Sequence, residues 1–196
     1  MNSEPNHSRR VCVYCASSDL CDDVYKREAY RLGVLLAQSS VRIVYGGGGR
    51  GLMGQLAAGA LACGGHVTGI MPRFMQELEW GHTGLSELQI VEDMRERKHR
   101  MLAGSNAAIA LPGGCGTLEE LLEAITLKRL GMYDQPIVIV NQRDYFAPLL
   151  DLLDRAVRER FMEPCHRELW QVAKDADEAV ELALPRNAAM AQRQGH

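Results

Sequence analysis

No stretch of this 196-residue chain approaches the roughly 18–20 consecutive apolar residues of a membrane-spanning helix. Neither sign of charge dominates: 22 Lys and Arg stand against 25 Asp and Glu, and a net charge of −3 offers nucleic acid no general attraction. Met1 to Arg10 is polar and lacks the apolar core of a signal peptide, so a cytoplasmic protein is expected. No Cys/His spacing reads as a zinc site, and no metal is expected. The six cysteines sit in strand-like and helix-like runs. Cys12-Val13-Tyr14-Cys15 has C-x-x-C spacing but lies inside an apolar strand pattern, whereas a redox pair uses a helix N-terminus to stabilise its thiolate. What remains is an ordinary globular composition, 46% hydrophobic and 24% charged, long enough for one domain with a sizeable core.

Short apolar runs alternate with stretches of helical period. Val11–Cys15, Val41–Tyr45, His66–Met71, Leu88–Val91, Ala107–Leu111 and Pro136–Val140 read as strands, with Trp170–Ala173 as an edge strand. Asp22–Gln38, Leu52–Cys63, Asp93–Gly104, Thr117–Gly131, Tyr145–Phe161 and Asp175–Leu184 read as helices, and Arg73–Ser86 as a short helix and a loop. Strands apolar on both faces, each followed by a helix, predict an α/β fold: a Rossmann-like parallel sheet with helices on both faces. The expected organisation is a disordered segment 1–9, one domain over 10–184 and a flexible tail 185–196. In such sheets ligands bind beyond the carboxyl ends of the strands, where two glycine-rich turns fall.

The first turn, Gly46 to Gly51, fits G-x-G-x-x-G between a strand and a helix. A dinucleotide site would also place an acidic residue about twenty positions on, to hold a ribose. Met71-Pro72-Arg73 stands there instead, which argues against an NAD-dependent oxidoreductase. The turn then either handles phosphate, with Gly47 and Gly48 as contacts, or only lets helix and sheet pack closely. The second turn, Leu111-Pro112-Gly113-Gly114-Cys115-Gly116-Thr117-Leu118-Glu119-Glu120, also joins a strand to a helix. Its glycines leave backbone N–H groups free to surround a phosphate at a helix N-terminus. Thr117 and Glu120 also have capping-box spacing, so a purely structural use of both stays open. In Met94-Arg95-Glu96-Arg97-Lys98-His99-Arg100-Met101-Leu102, helical spacing puts Arg97 and Lys98 on the face of Met94, Met101 and Leu102. Two cations on an apolar stripe either find an anionic partner or reach outward past it. The helix after the second turn is apolar almost all round, as for a helix buried on more than one side by the sheet, a neighbouring helix or a second subunit.

Pro112 to Glu120 matches P-G-G-x-G-T-x-x-E, and Met94 to Lys98 matches an upstream M-x-x-R-K. With Val13-Tyr14-Cys15-Ala16-Ser17-Ser18, Tyr45 to Gly48 and Gly51 to Gly54, these blocks resemble the Lonely Guy family of cytokinin-activating phosphoribohydrolases over about Val11 to Leu184. Departures are Ala16 for a common glycine, Cys115 for a common tyrosine, and Gly49-Arg50 for a small-residue pair. The resemblance implies hydrolysis of the N-glycosidic bond of nucleoside 5′-monophosphates such as AMP or isopentenyladenosine monophosphate, without a cofactor. It implies Arg97 and Glu120 as the catalytic pair. Its substrate contacts fall on Glu79, Lys98, Gly113, Gly114, Cys115, Gly116, Thr117, Leu118, Glu119 and Thr126, and it implies a homodimer. The "lysine decarboxylase-like" label attached to such proteins finds no lysine here in a pyridoxal-phosphate motif. The alternative within the same fold is a carrier that binds a phosphorylated cofactor without turnover.

Overall fold

A computed structural model describes residues 9–77 and 81–185. The expected disordered start and flexible tail, Arg9 and Pro185 apart, lie outside the described residues, as does Glu79. The apolar runs become strands: β1 (Arg10–Tyr14), β2 (Arg42–Tyr45), β3 (Val67–Pro72), β4 (Glu87–Val91), β5 (Ala107–Ala110), β6 (Ile137–Val140) and β7 (Gln171–Ala173). They form one seven-stranded sheet in the order β4-β3-β2-β1-β5-β6-β7, and every pair is parallel. The helices are α1 (Asp23–Gln38), α2 (Gly51–Ala62), α3 (Arg73–Glu77), α4 (Met94–Leu102), α5 (Cys115–Arg129), α6 (Ala147–Arg158) and α7 (Ala176–Ala183).

Two cores follow from strand alternation. Val11 and Val13 face one side, packed with Leu32 and Leu36 of α1, Leu52 and Leu56 of α2, and the alanines of α7. Cys12 and Tyr14 face the other side, with Met101 and Leu102 of α4, Leu121, Ala124 and Ile125 of α5, and Phe146. The small residues predicted for α2 let it touch α1: a Cβ on Gly59 would lie 2.1 Å from the Tyr30 carbonyl oxygen. Asp22, Asp93 and Asp175 each cap a helix by accepting from a backbone N–H one turn in.

The chain leaves β1 towards β2 on one side, while β5 lies against β1 on the other. The loops after these two strands therefore meet at the switch point of the sheet, the place where such folds form a crevice. The Ala16 amide bonds to the Pro112 carbonyl at 3.3 Å across this junction.

One expectation changes. Helix α5 starts at Cys115, two residues before Thr117, because Gly114 is extended and acts as the N-cap without a side-chain bond. Thr117 is consequently the third helical residue and caps nothing, and the Thr117/Glu120 capping box is absent. In keeping with their apolar strand pattern, Cys12 and Cys15 belong to opposite cores and the C-x-x-C spacing makes no pair. Burial raises both thiols, that of Cys12 to about 12, which leaves no reactive thiolate.

Candidate active site

Arg97 points from α4 under the carboxyl edge of the sheet and is only 6% exposed. Its Nε donates to the Ile70 carbonyl at 3.2 Å, and its Nη1 donates to Glu120 Oε1 at 3.0 Å. Nη2 reaches the Gly46 carbonyl at 3.5 Å, and Met94 Sδ lies 4.0 Å from Nη1. A Cβ at position 46 would stand 2.1 Å from Nη2. The first glycine of G-x-G-x-x-G therefore makes room for a guanidinium. The last one, Gly51, has φ +57° and would drive a Cβ to 2.5 Å from the Ser18 carbonyl oxygen; its amide donates to Asp19. The close-packing reading of this turn holds at both ends.

Glu120 is 5% exposed, one turn into α5. Burial raises its carboxyl to about 7, and the Arg97 charge pulls the other way. A carboxyl shifted up towards neutrality beside a cation suits a residue that orients water or stabilises a cation. Breaking a buried pair of this kind strands one charge in a low-dielectric site, so the pair is kept as a unit.

The second glycine turn is open where the first is closed. A Cβ on Gly114 or Gly116 would meet no heavy atom within 4 Å. Gly113 sits behind them, where a Cβ would collide with Thr117 Oγ1, and its carbonyl accepts from the Tyr145 hydroxyl at 2.7 Å. Together these walls enclose a cavity of about 570 Å³, lined by Gly114, Gly116, Thr117, Arg97, Glu120 and Gly48 among others. That is within the range of small-molecule sites, roughly 300–1,000 Å³. Backbone donors at the start of α5 border one end, and the Arg97–Glu120 pair lies in its wall.

Among the described residues the other expected contacts do not line this cavity. Gly47 backs its wall, with a Cβ position near Met71 and Leu88. Lys98 is held by Glu119 at 2.7 Å and Glu123 at 2.6 Å, so the two expected cations take separate partners and neither simply reaches past the apolar stripe. Cys115 is exposed, Leu118 packs against the core on the α4–α5 face of the sheet, and Thr126 is exposed with its hydroxyl on the Leu122 carbonyl. Lys98, Glu120 and Glu123 instead border a groove of about 1,110 Å³ between α4 and α5, so Glu120 is reached from both sides.

Sequence reasoning missed Ser17 and Ser18, and the methionines Met53, Met71 and Met75, all of which line the cavity. Ser17 and Ser18 were readable as turn residues at the end of a central strand; the methionines carry no local signal. Among the described residues one group could gather a metal ion, Glu163, Cys165 and His166. It lies in a 3₁₀ turn where His166 Nδ1 already accepts the Glu163 amide at 2.9 Å.

A protein-family profile described as "Possible lysine decarboxylase" matches residues 53–183. The chain is 40% identical over 188 residues to cytokinin riboside 5′-monophosphate phosphoribohydrolase LOG1 of Arabidopsis thaliana, covering 94% of this chain and 88% of that one. It is 41% identical to the probable enzyme of that name LOGL2 of Oryza sativa subsp. japonica, over 88% of this chain and 71% of the relative. It is 40% identical to the Rhodococcoides fascians enzyme, over 88% of this chain and 87% of that one. Among solved structures, the molybdenum cofactor carrier protein of Chlamydomonas reinhardtii superposes with a TM-score of 0.70 at 18% identity, covering 89% of this chain and 94% of that one. The molybdenum cofactor binding protein of Rippkaea orientalis gives 0.68 at 20%, covering 90% and 96%. These two likenesses speak for the fold alone. Identity of this level over most of the chain, with the glycine cradle and the buried Arg97–Glu120 pair in place, leads to one assignment: the chain belongs to the LOG family of cytokinin riboside 5′-monophosphate phosphoribohydrolases.

Proposed function

We propose that this protein hydrolyses the N-glycosidic bond of adenosine 5′-monophosphates, N6-modified ones in particular, to free base and ribose 5-phosphate. The observation that carries the reading is the buried Arg97–Glu120 pair, 3.0 Å apart, in the wall of a cavity whose other end is an open glycine cradle. The relatives named for this reaction support it.

In this reading the N–H groups and positive end of α5 hold the 5′-phosphate at Gly114, Gly116 and Thr117. Binding of the phosphate, remote from the reacting bond, orients C1′ towards the pair. Cleavage builds positive charge on the ribose ring, and the Glu120 carboxylate stabilises it and orients the attacking water, as carboxylates do for O-glycosides. Arg97 holds Glu120 in place and offers its charge to the departing base or the ribose hydroxyls. Every charge in this scheme is supplied by side chains and the helix end, so it invokes no metal or cofactor.

The same reading includes a homodimer and a cytoplasmic site of action. Support for the dimer is α5, which buries Leu121, Ala124 and Ile125 on one side yet leaves Leu122 38% and Leu130 60% exposed on the other. Lys98 and Thr126, outside the cavity, and Glu79 are assigned to the substrate on family resemblance.

The test is direct. Folded protein is incubated with AMP and with isopentenyladenosine monophosphate, and free base is measured by chromatography. Release of base is expected from both, faster from the modified nucleotide. No release from either, with an uncleaved phosphorylated ligand co-purifying, would replace hydrolysis by a carrier role.

A further inference from the structure

The strands begin at the edge of the sheet opposite the cavity. There Arg10 and Arg42 are register partners on β1 and β2. Alternation from Cys12 and Val44 puts both on the α4–α5 side of the sheet. They line a second cavity, of about 490 Å³, with Thr68, Glu87, Gln89 and Asn106. Like charges directly opposite each other on neighbouring strands destabilise a sheet. The side-chain hydrogen bonds of these two arginines, among the described residues, go to neutral groups. Arg10 Nη2 donates to the Arg100 carbonyl, and Arg42 Nη2 reaches His66 Nε2 at 3.2 Å. Arg10 Nε is buried with no partner among the described residues. So is His66 Nδ1, which carries the proton when Nε2 accepts from Arg42. Glu87, the carboxylate of this cavity, is already engaged by Gln89 at 2.9 Å and Thr68 at 3.2 Å. Burial holds the Arg10 pKa below its usual value and the Arg42 charge pushes the same way, while Cys12 and the Glu87 carboxylate pull it partly back. A native fold seldom leaves a buried donor such as the Arg10 Nε–H unpaired without a use.

We infer that this cavity is an anion-binding site, separate from the candidate active site, that takes the phosphate or carboxylate group of a small metabolite between Arg10 and Arg42. Its volume suits a ligand of a few to a dozen heavy atoms. The two guanidinium groups supply charge-assisted bonds, with the unused Arg10 Nε–H among their donors. Glu87, on β4 at the far side, favours a ligand that also carries a hydroxyl or amine.

The test is calorimetric titration of the full chain with inorganic phosphate and, separately, with succinate, in wild type and Arg42→Gln. Arg42 is exposed, so the variant keeps the fold. Binding at this site is expected to weaken about tenfold or more in Arg42→Gln. Base release from AMP without added anion is expected to be unchanged. In Arg42→Glu, Arg10 gains a partner: Tm without ligand is expected to rise by about 2–4 °C, and the rise in Tm that succinate gives the wild type to vanish. Weakening for phosphate alone identifies a phosphorylated ligand, and for succinate alone a carboxylate. Failure of both anions to bind wild type, or identical titrations in wild type and Arg42→Gln, overturns the inference. Neither result bears on the catalytic reading, which base release tests on its own.

Discussion

The two glycine-rich turns look alike in sequence and do opposite things. Both follow a central strand, both open a helix, and both lie at the carboxyl edge of the sheet. In the first, Gly46 to Gly51, the end glycines are filled in by neighbours: Arg97 occupies the space a Cβ at 46 would take, and the Ser18 carbonyl the space at 51. In the second, Gly114 and Gly116 have nothing beside them within 4 Å. A glycine closed in by the protein's own atoms lets parts of the fold approach; a glycine with open space beside it leaves room for something else. The first turn seats the Arg97 guanidinium, and the second borders the open cavity.

Predictions that sharpen this contrast start with the pair the first turn seats. Glu120→Gln is expected to lower kcat on the order of 10³-fold while nucleotide still binds, read by base release and by titration with AMP. Retained turnover would return Glu120 to a structural role. Gly46→Ala is expected to displace Arg97 and lower kcat on the order of 10²-fold, with a smaller change in KM. Gly116→Ala is the counterpart. It adds a methyl group to the open cradle, so KM is expected to rise more than kcat falls. Tm is expected to stay level or rise, since alanine in a helix gains about 0.4–1 kcal/mol over glycine. If both variants changed the same kinetic parameter, the distinction between the turns would fail.

The pH profile tests the pair from another side. Burial holds the Glu120 carboxyl at about 7, and the proposed chemistry uses its ionised form. Deprotonation follows rising pH, so kcat/KM is expected to climb tenfold per unit below about 7 and level off above it. The smallest effect is expected for Tyr145→Phe, which removes the bond to the Gly113 carbonyl behind the cradle. A loss of about 1 kcal/mol there corresponds to a several-fold rise in KM with kcat nearly kept.

Much of the fold was legible because its signals are local. Apolar runs of strand length, helical spacing and aspartate caps each read out within one element, and the parallel sheet follows from their alternation. The site was legible in part. The motifs at Met94–Lys98 and Pro112–Glu120 marked Arg97, Glu120, Thr117 and the cradle glycines, and all of these meet at one cavity. The Thr117 cap was misread because the start of α5 depends on the extended backbone of Gly114, which residue type does not dictate. The role of Gly46 was invisible for another reason. Its neighbour Arg97 is 51 residues away along the chain and arrives from α4, which packs on the face of the sheet at β3.

The amino-acid sequence by itself determined the element order, the two faces of the sheet and the chemistry available at the second turn. These rest on periodicity and residue type, which act over a few positions. Only the tertiary structure decided that Arg97 meets Glu120 at 3.0 Å, that Lys98 does not share the cavity, and which glycines are filled and which are open. Those outcomes depend on strand order and on the approach of chain segments tens of residues apart. At that range close packing, rather than local preference, settles which atoms share a space.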